Sequence, residues 1–209
     1  MIAIIDYGAG NLRSIGRALQ AAGEETVITA DPEVIRAADG VVLPGVGAAG
    51  HAMDRLDEKQ LVPIIHEVVE RGTPFLGVCL GMQLLFEHQE EGNANGLGLM
   101  KGSVRTIRNA EKIPHIGWNQ STVRKPLPGL EPGDAHYYYF VHSFVAEPDD
   151  PADVAATSEY GEQFPSVVVR DNVWGTQFHP EKSSEDGLAL IKSWVETVRT
   201  SSRQGAGTR

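Results

Sequence analysis

The only cysteine of the chain, Cys79, stands in Thr73-Pro-Phe-Leu-Gly-Val-Cys-Leu-Gly-Met-Gln-Leu-Leu-Phe86. The apolar run at 75–78 reads as a buried strand, and Leu80, Leu84 and Leu85 recur after it at helical spacing. Between them lies Gly77-Val-Cys-Leu-Gly81, a Gly-x-nucleophile-x-Gly elbow. A nucleophile on a sharp strand-to-helix turn takes a strained backbone angle and leaves no room for bulky neighbours. The helix that follows aims free N–H groups and its positive end at the sulfur, an environment that suits a nucleophile. Such a nucleophile needs a base, and the base an orienter. Of the seven histidines, His51, His66 and His88 fall in polar stretches that read as helical surface. His136 adjoins an aromatic run and reads as packing. His179 ends the apolar strand that starts at Asn172 and runs into His179-Pro180-Glu181. In extended backbone, residues i and i+2 point to one side, and Pro180 stiffens the link between them. Glu181 is thereby placed to hold the imidazole tautomer, giving a triad of nucleophile Cys79, base His179 and orienter Glu181.

A third element is Gly40-Val-Val-Leu-Pro-Gly-Val-Gly47, a buried strand breaking into a Pro-Gly-x-Gly loop. Glycines let backbone N–H groups approach a reacting carbonyl, so Val46 or Gly47 supplies one oxyanion donor and the N–H of Leu80 the other.

Taken together, Pro44–Gly47, Gly77–Gln83 and Gly175-Thr-Gln-Phe-His-Pro-Glu-Lys-Ser183 resemble the class I, triad-type glutamine amidotransferases. Ile4–Ser14, Pro114-His-Ile-Gly-Trp-Asn119 and Tyr137-Tyr-Tyr-Phe-Val-His-Ser143 are similar to the glutaminase subunits of imidazole glycerol phosphate synthases within that class. The resemblance covers Met1 to about Thr200. It implies an α/β, flavodoxin-like fold and hydrolysis of the side-chain amide of L-glutamine through a glutamyl thioester, with no cofactor and no metal. It also implies that Gly45, Gln83 and Ser143 hold the amino-acid end of glutamine, and that ammonia passes to a docked (β/α)8-barrel cyclase. Trp118 and Tyr139 are candidate contacts for that partner, since aromatics favour interface cores. Two alternatives remain open at this point: a glutaminase serving another synthase, and a stand-alone cysteine hydrolase on the same sheet.

The elements that must position these residues alternate in the first half. Strands are expected at 1–5, 25–28, 40–43 and 75–78, with helices at 11–22, 32–37 and over most of 50–71. This order predicts a doubly wound, mostly parallel sheet, with sites outside the carboxyl ends of its strands. The second half reads as short strands at 104–107, 118–123, 136–144, 154–157, 166–170 and 173–178, appended as antiparallel hairpins, and a closing amphipathic helix at 185–200. Asp6-Tyr-Gly-Ala-Gly-Asn11 lacks the last glycine of a dinucleotide loop, because Arg13 stands there, and reads as a tight turn. Residues 1–200 form one domain, and the small, polar 201–209 segment is expected to be disordered.

Composition narrows the classes further. With 18 Lys and Arg against 28 Asp and Glu, the formal charge is -10, the opposite of a nucleic-acid footprint. One cysteine gives no disulfide framework and fits a reducing cytoplasm. No apolar run approaches the length of a membrane span.

Overall fold

The computed structural model describes residues 1–206. Its first half is β1 (Ile2–Ile5), α1 (Leu12–Ala21), β2 (Thr26–Thr29), α2 (Pro32–Arg36), β3 (Gly40–Gly45), α3 (Ala49–Glu58), α4 (Leu61–Glu70), β4 (Phe75–Cys79) and α5 (Leu80–Gln83). Local chemistry sets these boundaries. Asp31 caps α2 by accepting from the Glu33 N–H at 2.9 Å, with Pro32 in the first turn. Asn11 occupies the N-cap position of α1, but its side chain makes no capping bond. Two glycines at positive φ, Gly8 and Gly10, form the tight turn between β1 and α1, and Gly10 packs against Pro44.

The second half contains β5 (Phe86–Gln89), β6 (Ala94–Asn95), β7 (Met100–Thr106), β8 (His115–Val123), β9 (Ala135–His142), β10 (Phe144–Pro148), β11 (Val154–Tyr160), β12 (Glu162–Arg170), β13 (Val173–Thr176) and α6 (Ser184–Ala206). One sheet has the order β2-β1-β3-β4-β13-β12-β11-β8-β9. Its first five strands are parallel and the remaining pairings antiparallel. The parallel half is doubly wound. Ile2 and Ile4 face the core shared with Ile15 and Leu19 of α1 and Trp194 of α6. Ala3 and Ile5 face Ile35 of α2, Leu56 of α3 and Ile65 of α4. Strand alternation sends successive residues to opposite faces, and apolar residues on both faces demand helices on both.

The structure corrects four expectations. The segment at 136–144 is not one strand. It breaks at Ser143, so that β9 edges the large sheet while β10 joins a second sheet of order β10-β7-β5-β6. That second sheet was not foreseen, and it puts His88 on strand β5 instead of a helix. The helix after Cys79 is a single turn, Leu80–Gln83, because the chain turns at Leu84 and Leu85 into β5; the electrostatic help of a long helix at the sulfur is correspondingly small. Finally, α6 continues through Ala206, so 201–206 are helical; 207–209, the rest of the segment expected to be disordered, lie outside the described residues. No described helix is long and apolar enough to cross a membrane.

Candidate active site

Cys79 ends β4, and its backbone is held at φ 55, ψ -110, a sparsely populated region that costs on the order of 1–3 kcal/mol and persists only where the surroundings enforce it. The flanking glycines show how. A Cβ on Gly81 would stand 1.9 Å from the Leu43 carbonyl oxygen, and one on Gly77 would stand 2.5 Å from the Gly81 carbonyl oxygen. The turn is folded onto β3 so closely that only glycine fits, and this contact presents the sulfur at the carboxyl edge of the sheet. Gly45, paired with Cys79 in the parallel ladder, is equally confined: its Cβ would meet Gly81 N and Leu80 Cβ at 2.8 Å.

His179 follows β13, the neighbour of β4 on the other side. Its segment is fastened to β9: the His179 N–H donates to the Tyr139 carbonyl at 3.0 Å. Ser183 Oγ donates to the His179 carbonyl at 2.6 Å and accepts from the Tyr139 N–H at 2.9 Å. His179 Nδ1 and Glu181 Oε1 are 2.9 Å apart, with side chains 3 % and 2 % exposed. A neutral or protonated ring donates there from Nδ1, and Nε2 has no hydrogen-bond partner of regular geometry among the described residues. Burial alone would lower the His179 pKa and is the largest single influence. The Cys79 sulfur and the Glu181 carboxylate outweigh it and raise the pKa from 6.5 to about 9. The ring thus holds its proton at neutral pH and can deliver it to a leaving group.

Cys79 and His179 share a cavity of about 310 Å³ with Val46, Gly47, Leu80, Gln83 and Ser143. Among the described residues, neither the Val46 nor the Gly47 N–H donates to another group of the chain, and Gly47 has φ +97 with open space around it. Gln83 is 5 % exposed; its Nε2 donates to the Phe144 carbonyl and to Gln177 Oε1, both at 3.1 Å. Gly45 packs behind the elbow and does not line the cavity. The structure adds residues that the sequence did not single out: Glu91, Pro114, Val141, His142 and Phe144. Glu91 accepts from the Ala49 N–H at 2.9 Å and brings a carboxylate to the cavity wall. It arrives by way of the second sheet, and no motif marks it. His142 stands next to Ser143 in the aromatic segment, where adjacency was the available signal.

Trp118 and Tyr139 face each other across β8 and β9, with rings 6.3 Å apart and edge-on. Trp118 is 54 % exposed, and Ile116 and Tyr137 are similarly exposed on the same side. Tyr138 points the other way, stacked on Phe178 at 3.8 Å in the core. Val141, paired with Ile116 across β8 and β9, also lines the cavity and links it to the apolar patch.

A family model for class-I glutamine amidotransferases matches residues 3–196. The chain is 48 % identical over 202 residues to imidazole glycerol phosphate synthase subunit HisH of Bacillus cereus, covering 95 % of each chain. It is 49 % identical over 209 residues to the subunit of that name from Moorella thermoacetica, covering 98 % of each. A solved structure of PurLQS from Thermotoga maritima shares the fold, with TM-score 0.76 at 20 % identity over 94 % of this chain and 98 % of that one. The chain belongs to the class-I glutamine amidotransferases, in the group whose curated members are the HisH subunits of imidazole glycerol phosphate synthases.

Proposed function

We propose that Cys79, His179 and Glu181 are the triad with which this chain hydrolyses L-glutamine as the glutaminase subunit of an imidazole glycerol phosphate synthase. The observation that carries the reading is one cavity holding the Cys79 sulfur and the His179 ring, with Glu181 fixed behind that ring.

The Cys79 sulfur attacks the side-chain amide carbon, and the amide oxygen takes up negative charge. Backbone N–H groups of Leu80 and of Val46 or Gly47 receive that charge. His179 protonates the nitrogen; the C–N bond breaks, and ammonia leaves a glutamyl thioester on Cys79. Water then loses a proton to His179 and adds at the same carbon, releasing glutamate and restoring the sulfur. Glu181 keeps Nδ1 occupied so that Nε2 does the proton transfer. Gln83 and Ser143 hold the amino-acid end of glutamine, while Gly45, packed behind the elbow, lets the turn close onto β3. Glu91 is the carboxylate suited to the ammonium group of glutamine, a charge-assisted contact.

Ammonia is mostly protonated in neutral water and is then no nucleophile, so it needs a dry path to its acceptor. The exposed Ile116–Trp118–Tyr137 face, with Tyr139 beneath, is where a (β/α)8-barrel cyclase docks in this reading; exposed apolar patches of this kind mark interfaces. That partner converts a phosphorylated ribulosyl intermediate to imidazole glycerol phosphate and an aminoimidazole carboxamide ribotide. A reducing cytoplasm is the compartment that a working thiol of this kind requires. The test is glutamate release from glutamine by the chain alone, with the cyclase, and with the cyclase and its ligand. Absence of glutamate release in all three states would sink the proposal.

A further inference from the structure

The motifs around positions 115, 119 and 142 have no part in the chemistry above, yet their side chains form a continuous chain that runs from half-buried Asn119 to two buried rings. Asn119 is oriented by backbone at both ends: its Oδ1 accepts from the Gln120 N–H at 2.8 Å, and its Nδ2 donates to the Glu159 carbonyl at 2.9 Å. Nδ2 also lies 3.4 Å from His115 Nε2. His115 Nδ1 lies 2.9 Å from His142 Nε2, and His142 Nδ1 lies 2.8 Å from the Phe144 carbonyl oxygen. That carbonyl is the one that also accepts from Gln83 Nε2. His115 and His142 are 3 % and 5 % exposed. Burial lowers the His115 pKa to about 4. For His142 burial is again the main cause, opposed by the Phe144 carbonyl and reinforced by charge on His115 and His179, and the value falls to about 3. Both rings are therefore neutral in use, and each carries a single proton.

One proton per ring makes the chain directional. Asn119 Nδ2 can only donate, so His115 Nε2 must accept and its proton sits on Nδ1. That proton goes to His142 Nε2, so the His142 proton also sits on Nδ1. The Phe144 carbonyl can only accept, and it demands the same answer from the opposite end. We infer that Asn119, His115 and His142 are a one-way hydrogen-bond relay that positions the Phe144 carbonyl and, through it, the Gln83 amide for glutamine binding. Its outer end lies on β8, one residue from the exposed Trp118, and its inner end is the pocket wall. His115 and His142 act as positioning residues in the glutaminase reaction; the consequence for substrate rests on Gln83 lying in the glutamine pocket.

The experiment uses the chain in its complex with the cyclase. Ring 15N signals of the wild type are expected to show protonated Nδ1 and bare Nε2 at both histidines; Nε2-protonated rings would overturn the relay directly. His142→Asn keeps a donor toward the Phe144 carbonyl, and His142→Leu removes it. Losing one such bond is expected to raise KM for glutamine about tenfold in His142→Leu, with kcat changing less, and His142→Asn is expected to recover most of that loss. Equal damage in the two variants would overturn the proposal. His115→Phe preserves the stacking on Tyr160 and Phe140, 4.0 and 4.9 Å away, and lies outside the cavity lining. It is expected to change the His142 ring signals and raise KM severalfold; unchanged signals with unchanged KM refute the relay even where His142→Leu does not fold. Gln83→Leu separates the two readings, since unchanged KM there would remove Gln83 from the glutamine pocket without touching the ring tautomers.

Discussion

At the scale of single residues, the proposed triad is expected to behave as a unit whose members depend on one another. Replacing Cys79 by Ala is expected to lower glutamine hydrolysis at least about 10⁴-fold while the partner still uses added ammonium salt; His179→Ala should be as damaging and the double variant no worse. Glu181→Gln should cost about a hundredfold less than removal of His179, because it orients the ring and transfers no proton. Single-turnover glutamate release measures all three, and a double variant slower by the product of both effects would show that the residues act separately. The raised pKa of His179 has a thermodynamic consequence of definite sign. The folded state binds the proton more tightly than the unfolded chain, whose value is the ordinary 6.5. The resulting stability is fully present below pH 6.5 and is lost as pH climbs through about 9. Cys79→Ala removes one of the two groups that raise the value, so the His179 titration should move down, and the loss of stability on going alkaline should shrink. Urea unfolding between neutral and alkaline pH, alongside ring NMR, checks this.

At the scale of elements, the site depends on a strand edge and a turn pressed together without side chains between them. Gly81→Ala would drive a Cβ into the Leu43 carbonyl oxygen at 1.9 Å. Backbone on both sides cannot yield cheaply, so a loss of about 3 kcal/mol or more is expected. The contrasting case is Gly50 in α3, whose nearest obstacle is Ala94 Cβ at 3.7 Å. There, alanine should stabilise by about 0.5–1 kcal/mol, the ordinary helix preference over glycine. Denaturant midpoints of the two variants decide the matter. A Gly81→Ala protein of wild-type stability would mean that the elbow is not held by this contact.

At the scale of the whole molecule, the question is what switches the glutaminase on. In the Pro44–Gly47 loop, the Val46 and Gly47 N–H groups have no partner among the described residues and Gly47 stands in open space, so the loop's peptide planes can turn at little steric cost. The expectation is that docking of the cyclase, with ligand bound, turns an oxyanion donor near Val46 or Gly47 into the site. One such donor is worth roughly 3 kcal/mol, about a hundredfold or more in rate. The isolated chain should therefore be slow although its triad is assembled. Rates measured alone, with partner, and with liganded partner test this, and a free chain as fast as the liganded complex would refute it. Trp118→Ala should weaken docking about tenfold, the usual scale for a buried aromatic anchor, measured by calorimetric titration against the cyclase.

Much of this was legible in the residues themselves, for physical reasons. The elbow around Cys79 announces itself because a strained turn excludes side chains locally, and the His179-Pro-Glu181 segment does so because its partners are two residues apart. The parallel half of the sheet follows from apolar runs that leave polar groups on neither face. What the tertiary structure decided is whatever depends on chain segments meeting from far away. The break at Ser143 separates two sheets, yet the residues on either side read as one continuous apolar segment. Glu91 reaches the cavity only because β5 and β7 pair into a second sheet. His115 and His142 meet across a hairpin register, His115 opposite His142, and their common direction is fixed by a carbonyl on β10 and by the Asn119 amide four residues along β8. The helix after Cys79 had the right spacing to continue, and stops because the chain must turn to form that second sheet. Sequence alone singled out the groups proposed to do the chemistry, since nucleophile, base and orienter must have particular types at particular turns. Only the packing of distant strands decided what surrounds them, because a pocket wall is made of neighbours in space.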